Sequence, residues 1–129
     1  MLPSLKVLNL NFNKISAQGI KYLANSLNFP NIQVIELASV KCQFGHIIKE
    51  FANSHISFLN LTYINLKNNE LGNEGMKELA RFKKFPNLKI IDLSNNKIDA
   101  SGISALSNSP IFKCLEKLYL SDNLLSDQG

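Results

Sequence analysis

Tryptophan is absent from the 129 residues, arginine occurs once, and there are two histidines and two cysteines. Each scarcity closes off a class of chemistry. His46 and His55 stand nine residues apart, about 900° around a helix and so on opposite faces, and they are not expected to share a metal ion. No HExxH, CxxC, phosphate-binding Walker loop or GxSxG occurs, so neither metal-dependent nor nucleophilic catalysis is expected and no cofactor is implied. The formal charge of +4 comes from lysines spread along the chain, with one cluster at Arg81, Lys83 and Lys84. Phosphate-gripping surfaces usually carry several arginines and interleaved exposed aromatics, so no nucleic-acid partner is expected. No apolar run approaches the roughly 18 residues of a membrane span, and Met1 leads directly into patterned sequence without a signal-peptide core. No membrane partner is expected.

What the chain has in abundance is a repeated spacing. In Leu88-Lys89-Ile90-Ile91-Asp92-Leu93-Ser94-Asn95-Asn96-Lys97-Ile98, apolar residues take places one, four, six and eleven and Asn takes place nine. The same pattern returns as Leu5, Leu8, Leu10, Asn13, Ile15; as Leu61, Ile64, Leu66, Asn69, Leu71; and as Leu115, Leu118, Leu120, Asn123, Leu125. A degenerate copy has Ile32, Ile35, Leu37 and Cys42, with Val40 in the Asn place. Copies begin at 5, 32, 61, 88 and 115, a period of 27 residues that is once 29.

Pattern and period together resemble leucine-rich repeats of the ribonuclease-inhibitor type, and the resemblance covers the chain from about Leu2 to Gly129. It implies an α/β right-handed solenoid, a horseshoe with a parallel sheet on the concave side and helices on the convex side, in about four and a half repeats. Residues 1–129 then form one domain, and an apolar fraction of 45% is enough for its core. Cys42 and Cys114 would lie about three strand spacings of ~4.8 Å apart, too far for a disulfide, which needs Cα atoms within about 7 Å. Two free thiols suit a reducing compartment, so the expected location is cytoplasmic.

Within each unit, the period-two segment such as Val7-Leu8-Asn9-Leu10 predicts a short strand. The place-nine amide meets the backbone groups left unpaired where the chain turns away from the sheet, which predicts a ladder of Asn13, Asn69, Asn96 and Asn123. Val40 cannot take part, which predicts a distorted turn over 39–45. A helix follows each complete unit: Ser16 caps one carrying Ile20, Leu23, Ala24 and Leu27 inward, and Asp99 caps one carrying Ile103 and Leu106. Gly19, Gly75, Gly102 and Gly129 recur four places after place eleven, where close helix–sheet packing is expected, with His46 in that place in the second repeat. Phe29, Phe58, Phe85 and Phe112 stand three places before a strand unit and are expected to fill space between layers. The last four residues match 16–19, so the sequence stops where a fifth helix would start. Neither end carries a polar cap, which predicts a fragment of a longer array or self-association through open ends.

The informative surface is the outward face of the sheet. Place three contributes Val7, Val34, Tyr63, Ile90 and Lys117; place five contributes Asn9, Glu36, Asn65, Asp92 and Tyr119; Lys67 and Phe12 come from places seven and eight. An apolar stripe beside a polar, partly acidic one suits a protein partner, with Tyr63 and Tyr119 as anchors. Val, Ile and Tyr are also good strand formers, so the stripe has a purely structural reading as well. The family resemblance implies a non-enzymatic protein-binding module acting through this face. Alternatives are a regulatory GTPase-activating role, as in Ran GTPase-activating proteins built from similar repeats, and a sensor segment of a larger receptor or effector.

Overall fold

A computed structural model describes residues 1–42 and 46–126. Each repeat supplies one three-residue strand: β1 (Val7–Asn9), β2 (Val34–Glu36), β3 (Tyr63–Asn65), β4 (Ile90–Asp92) and β5 (Lys117–Tyr119). They form one parallel sheet in chain order. The register matches equivalent places of successive repeats, so Leu8, Ile35, Ile64, Ile91 and Leu118 make one inward row. Between strands run α1 (Ala17–Ala24), α2 (His46–Ala52), α3 (Gly72–Ala80) and α4 (Ala100–Leu106), each packed on the next. Parallel strands joined by helices in this order give the right-handed α/β solenoid.

The core lies between the two layers. Ile35, Leu37, Leu61, Ile64, Leu66 and Leu93 from the sheet side meet Ile20, Ile47, Met76 and Leu79 from the helices, all fully or almost fully buried. On the return from helix to strand, Phe51, Phe58 and Phe85 meet edge to face, with centroids 5.4 to 5.8 Å apart. Leu8 and Leu118 are only half-buried, because β1 and β5 have a neighbour on one side alone.

Local signals set the helix starts. The Ser16 hydroxyl accepts the Gly19 N–H at 3.2 Å, and the Asp99 carboxylate accepts the Ser101 N–H at 2.8 Å. Hydrogen bonds from the Ser101 hydroxyl and N–H hold the Asp99 carboxyl below its ordinary pKa. At Gly75, a Cβ would stand 2.9 Å from that of Leu71; at Gly19, 2.8 Å from Ile15 Cγ2. The first helical turn thus rests directly on the place-eleven side chain. Two details differ from the sequence reading. α1 ends at Ala24, so Leu27 lies beyond it and is 73% exposed. After α4 the chain forms a 3-10 helix, Pro110–Lys113, which Ser109 caps by accepting the Ile111 N–H at 3.2 Å and which Pro110 suits through its fixed φ.

The place-nine amides work backwards along the chain. Asn96 Oδ1 accepts the N–H of Asn69 at 2.9 Å and of Leu71 at 3.3 Å, and its Nδ2 donates to Leu66 O at 2.9 Å, all in the preceding repeat. Asn123 serves Asn96, Ile98 and Leu93 in the same way. Asn69 serves Val40 N and Leu37 O. Asn13 is exposed and donates to Leu10 O and Asn11 O within its own repeat. Val40 supplies no amide to the first repeat, and there its main-chain carbonyl accepts the Ile15 N–H at 2.9 Å.

That substitution leaves the second turn regular as far as it is described, contrary to the distortion expected from Val40. Ser39 and Lys41 have φ of 54° and 54°, against 57° and 53° at Asn68 and Glu70 and 53° and 59° at Asn95 and Lys97. The backbone conformation is held by neighbouring repeats, so losing one side chain does not alter it. Residues 43–45 and 127–129 lie outside the described residues, and with them the end of that turn and the place of Gly129.

Asn96→Ala strips partners from two buried N–H groups and a carbonyl, and it should cost about 3 kcal/mol in urea unfolding. Asn13→Ala, on an exposed turn, should cost less than about 1 kcal/mol. Equal losses would show that the amide acts only within its own repeat.

Candidate functional site

Parallel in-register pairing turns each place of the repeat into a row across the sheet. Val7, Val34, Tyr63, Ile90 and Lys117 form one row, and Asn9, Glu36, Asn65, Asp92 and Tyr119 form the next. Burial grades along both rows. Val34, Tyr63, Ile90, Glu36, Asn65 and Asp92 are half-buried, while Val7, Asn9, Lys117 and Tyr119 are exposed on the outer strands. Lys67 is exposed at the strand end, and Phe12 is 81% exposed.

Hydrogen bonding explains why place five favours Asn and Asp. The side-chain oxygens of Asn9, Asn65 and Asp92 each accept the N–H two residues on, from Asn11, Lys67 and Ser94, at 2.9 to 3.0 Å. This local closure starts the turn out of the strand. Glu36 is one methylene longer, and a different arrangement stands in its place. Asn11 Oδ1 reaches across to accept the Ala38 N–H at 2.7 Å, while Asn11 Nδ2 and Asn65 Nδ2 donate to Glu36 Oε2 at 2.7 and 3.2 Å. Glu36 is therefore clamped by amides from both neighbouring strands, whereas Asp92 has one oxygen engaged by its own turn. Asn11, at place seven of the outward face, is not among the candidate site residues taken from the sequence. Its signal was available: the glutamate at place five leaves a turn N–H for another side chain to accept.

Place eight has left-handed backbone throughout, at Phe12, Ser39, Asn68, Asn95 and Asp122. Asn and Asp tolerate that region, and Asn68 and Asn95 also link across strands, Asn68 to Ser39 Oγ at 2.8 Å and Asn95 to Asn68 Oδ1 at 3.2 Å. A phenylalanine there is strained and gains no burial. The charges of the face converge on Tyr63, whose phenol is pushed above its ordinary pKa of 10.0 by burial first, then by Glu36 and Asp92.

Groups capable of covalent or metal chemistry are scattered. Among the described residues, no three His, Cys, Asp or Glu side chains gather as metal ligands would. α2 ends at Ala52, so His55 lies past the helix that His46 begins. Cys42 and Cys114 are both free; Cys114 is exposed, while burial pushes the Cys42 thiol up, with Glu50 adding to it and the His46 N–H opposing it. No described helix is long and apolar enough to cross a membrane.

A family model described as Leucine Rich repeat matches residues 2–24, 53–80 and 86–107. The chain belongs to the leucine-rich repeat family. Similar curated proteins include NACHT, LRR and PYD domains-containing protein 5 of Homo sapiens, 34% identical over 85 residues, which is 65% of this chain and 7% of the relative. NACHT, LRR and PYD domains-containing protein 4B of Mus musculus is 33% identical over 82 residues, 63% of this chain and 10% of the relative. The human protein 14 of that series is 29% identical over 85 residues, 65% of this chain and 8% of the relative. This leucine-rich repeat chain thus matches a small part of much longer proteins. The first matched stretch holds β1 and α1, the second β3 and α3, and the third β4 and α4. The degenerate second repeat, with Val40 and Cys42, falls largely between them.

Two titrations test this geometry. In an alkaline scan followed by phenolate absorbance, the component lost in Tyr63→Phe should titrate above pH 10, and Glu36→Gln should move it to lower pH. Because the folded phenol holds its proton more tightly than the unfolded one, its contribution to stability is complete below about pH 10 and is lost as pH rises through the folded value. An unmoved curve in Glu36→Gln would remove Glu36 as a cause and leave burial and Asp92. With a thiol reagent, the native protein should show Cys114 reacting fast and Cys42 only after denaturation.

Proposed function

We propose that the chain is a non-enzymatic recognition segment that binds a protein partner on the outward, concave face of its sheet, centred on Tyr63. The observation that carries this reading is Phe12. A bulky aromatic with φ of 61°, 81% exposed, costs the fold about 1 kcal/mol where its equivalents are Asn, Asp or Ser, and its side chain gains little burial to offset that cost. A contact made with a partner would offset it. Phe12 adjoins the rows that hold Val7, Val34, Tyr63 and Ile90 beside Asn9, Glu36, Asn65, Asp92 and Tyr119, with Lys67 and Lys117 at the margins. The clamped Glu36 and the half-buried Tyr63 are already ordered, so binding through them needs little further ordering.

Membership of the leucine-rich repeat family supports protein binding in general. The likeness to proteins whose names include NACHT, LRR and PYD domains supports a place as the recognition or sensor part of a larger protein, and the two free thiols suit a reducing, cytoplasmic setting.

Affinity capture from lysate, compared across two altered faces, tests the face. Tyr63→Ala with Asp92→Lys and Tyr119→Ala should weaken retention of a specific protein about 30-fold or more, while Arg81→Glu with Lys83→Glu and Lys84→Glu should leave it bound. The reverse pattern would place the site on the edge where the chain returns from helices to strands. Phe12→Asn separates the two roles of that residue: it should stabilise the fold by about 0.5–1 kcal/mol in urea unfolding yet weaken capture of the same protein. A variant that is neither more stable nor weaker in binding would remove Phe12 from the site.

A further inference from the structure

The net positive charge is not spread over the solenoid. Along the edge where the chain returns from helices to strands lie Lys6, Arg81, Lys83, Lys84, Lys89 and Lys113, and among the described residues Glu116 is the one acid there. The opposite edge, where strands lead into helices, sets Lys14, Lys41, Lys67 and Lys97 against Glu70, Asp99 and Asp122, with Glu74 adjoining in the first turn of α3. The ion pairs among the described residues, Lys77 with Glu74 and Lys97 with Glu70, also lie away from the basic edge. A surface with one sign of charge and few internal partners attracts the opposite sign.

Within this edge, between the third and fourth repeats, is a cleft of about 330 Å³. Its apolar lining comes from Phe82, Phe85 and Pro86 on one loop and from Pro110 and Ile111 on the 3-10 helix, and Lys83 and Lys113 stand on its two sides. The Phe82 and Phe85 rings pack 4.6 Å apart and both are 3% exposed, so they form a recessed floor, while Pro86 and Pro110 stand exposed at its sides with Lys83 and Lys113.

We propose that this cleft is a second docking site, which takes an acidic segment of a protein partner and seats one large apolar side chain of that segment between the two loops. Charge complementarity selects an acidic occupant, and the recess selects a projecting side chain. Nucleic acid is a poorer fit, since the aromatic rings are buried rather than presented for base stacking and the edge has a single arginine. An anionic membrane is poorer too. The protruding large apolar residues of this edge, Met1, Leu2, Leu27 and Leu59, sit at the first two repeats, where Lys6 is the one cation, while Phe82, Phe85 and Ile111 beside the basic cluster are buried out of a bilayer's reach. The site is independent of the sheet face.

The test uses the whole chain and a fluorescein-labelled peptide with a run of glutamates around a central Leu-Phe pair, followed by anisotropy. Saturable binding is expected, weakened about tenfold by Lys83→Glu with Lys113→Glu, partly by the milder Lys83→Gln with Lys113→Gln, and not by Tyr63→Ala. Replacing the Leu-Phe pair by serines should weaken it as well. Bound peptide should slow the reaction of Cys114, which also lines the cleft, with a thiol reagent. Circular dichroism checks that the variants, changed only at exposed lysines, remain folded. The proposal is overturned if no binding saturates by about 1 mM, if the serine peptide or the lysine variants bind equally well, or if a single-stranded oligonucleotide or phosphatidylserine vesicles bind more tightly than the peptide.

Discussion

A buried amide that serves the backbone of the preceding repeat is the interaction on which the rest of this solenoid depends. A chain that leaves a strand of three residues and turns away toward the helix layer must abandon its sheet hydrogen bonds inside the core, where orphaned N–H and carbonyl groups are costly. Asn69, Asn96 and Asn123 each supply one acceptor and two donors at that point, and they reach one repeat back. Adjacent repeats are thereby tied by directional bonds, which sets the register of the sheet as firmly as its own short ladder does. The second repeat shows how far the arrangement tolerates loss: with valine at place nine, a main-chain carbonyl takes over for Ile15, and the turn keeps its conformation through Lys41.

Repetition has a second consequence, the conversion of sequence places into rows. Every choice at place five is seen by the places beside it on the neighbouring strands. Where Asn or Asp occurs, the side chain closes its own turn; where Glu36 occurs, Asn11 closes the turn and the carboxylate is held between two amides. The same residues therefore build the strand ends and form the presented surface. This explains why the middle of the face is pre-ordered and half-buried while the outer strands present freer side chains. It also makes Phe12 conspicuous, since its backbone serves the turn while its ring stands exposed outside the core.

The two long edges of the solenoid differ because the chain uses them differently. The edge leading into helices is crowded with caps and left-handed turn residues, and its charges are balanced. The returning edge is built from apolar rings and prolines that fill the space between layers, leaving lysines free to project around a recess. Two surfaces of unlike character, an open half-polar sheet face and a cationic cleft, thus arise from one repeat.

Most of the architecture was legible in the sequence, because it follows from spacing. Apolar places one, four, six and eleven define which residues face inward, Ser16 and Asp99 mark helix starts, and glycine four places after place eleven marks where a Cβ would not fit. The candidate rows were legible too, since a constant period lets equivalent places align. Less legible were features that depend on what a neighbour supplies across about 27 residues of chain. The unaltered turn at Val40 and the role of Asn11 belong to that class, while the 3-10 helix after α4 has local signals in Ser109 and Pro110. By itself, then, the sequence determined the repeat, the inward and outward faces and the family, all of them properties of local pattern. Only the tertiary structure decided which polar groups are used up in holding the turns, which remain free, and where the excess cations converge, because those depend on partners brought together across repeats rather than along the chain.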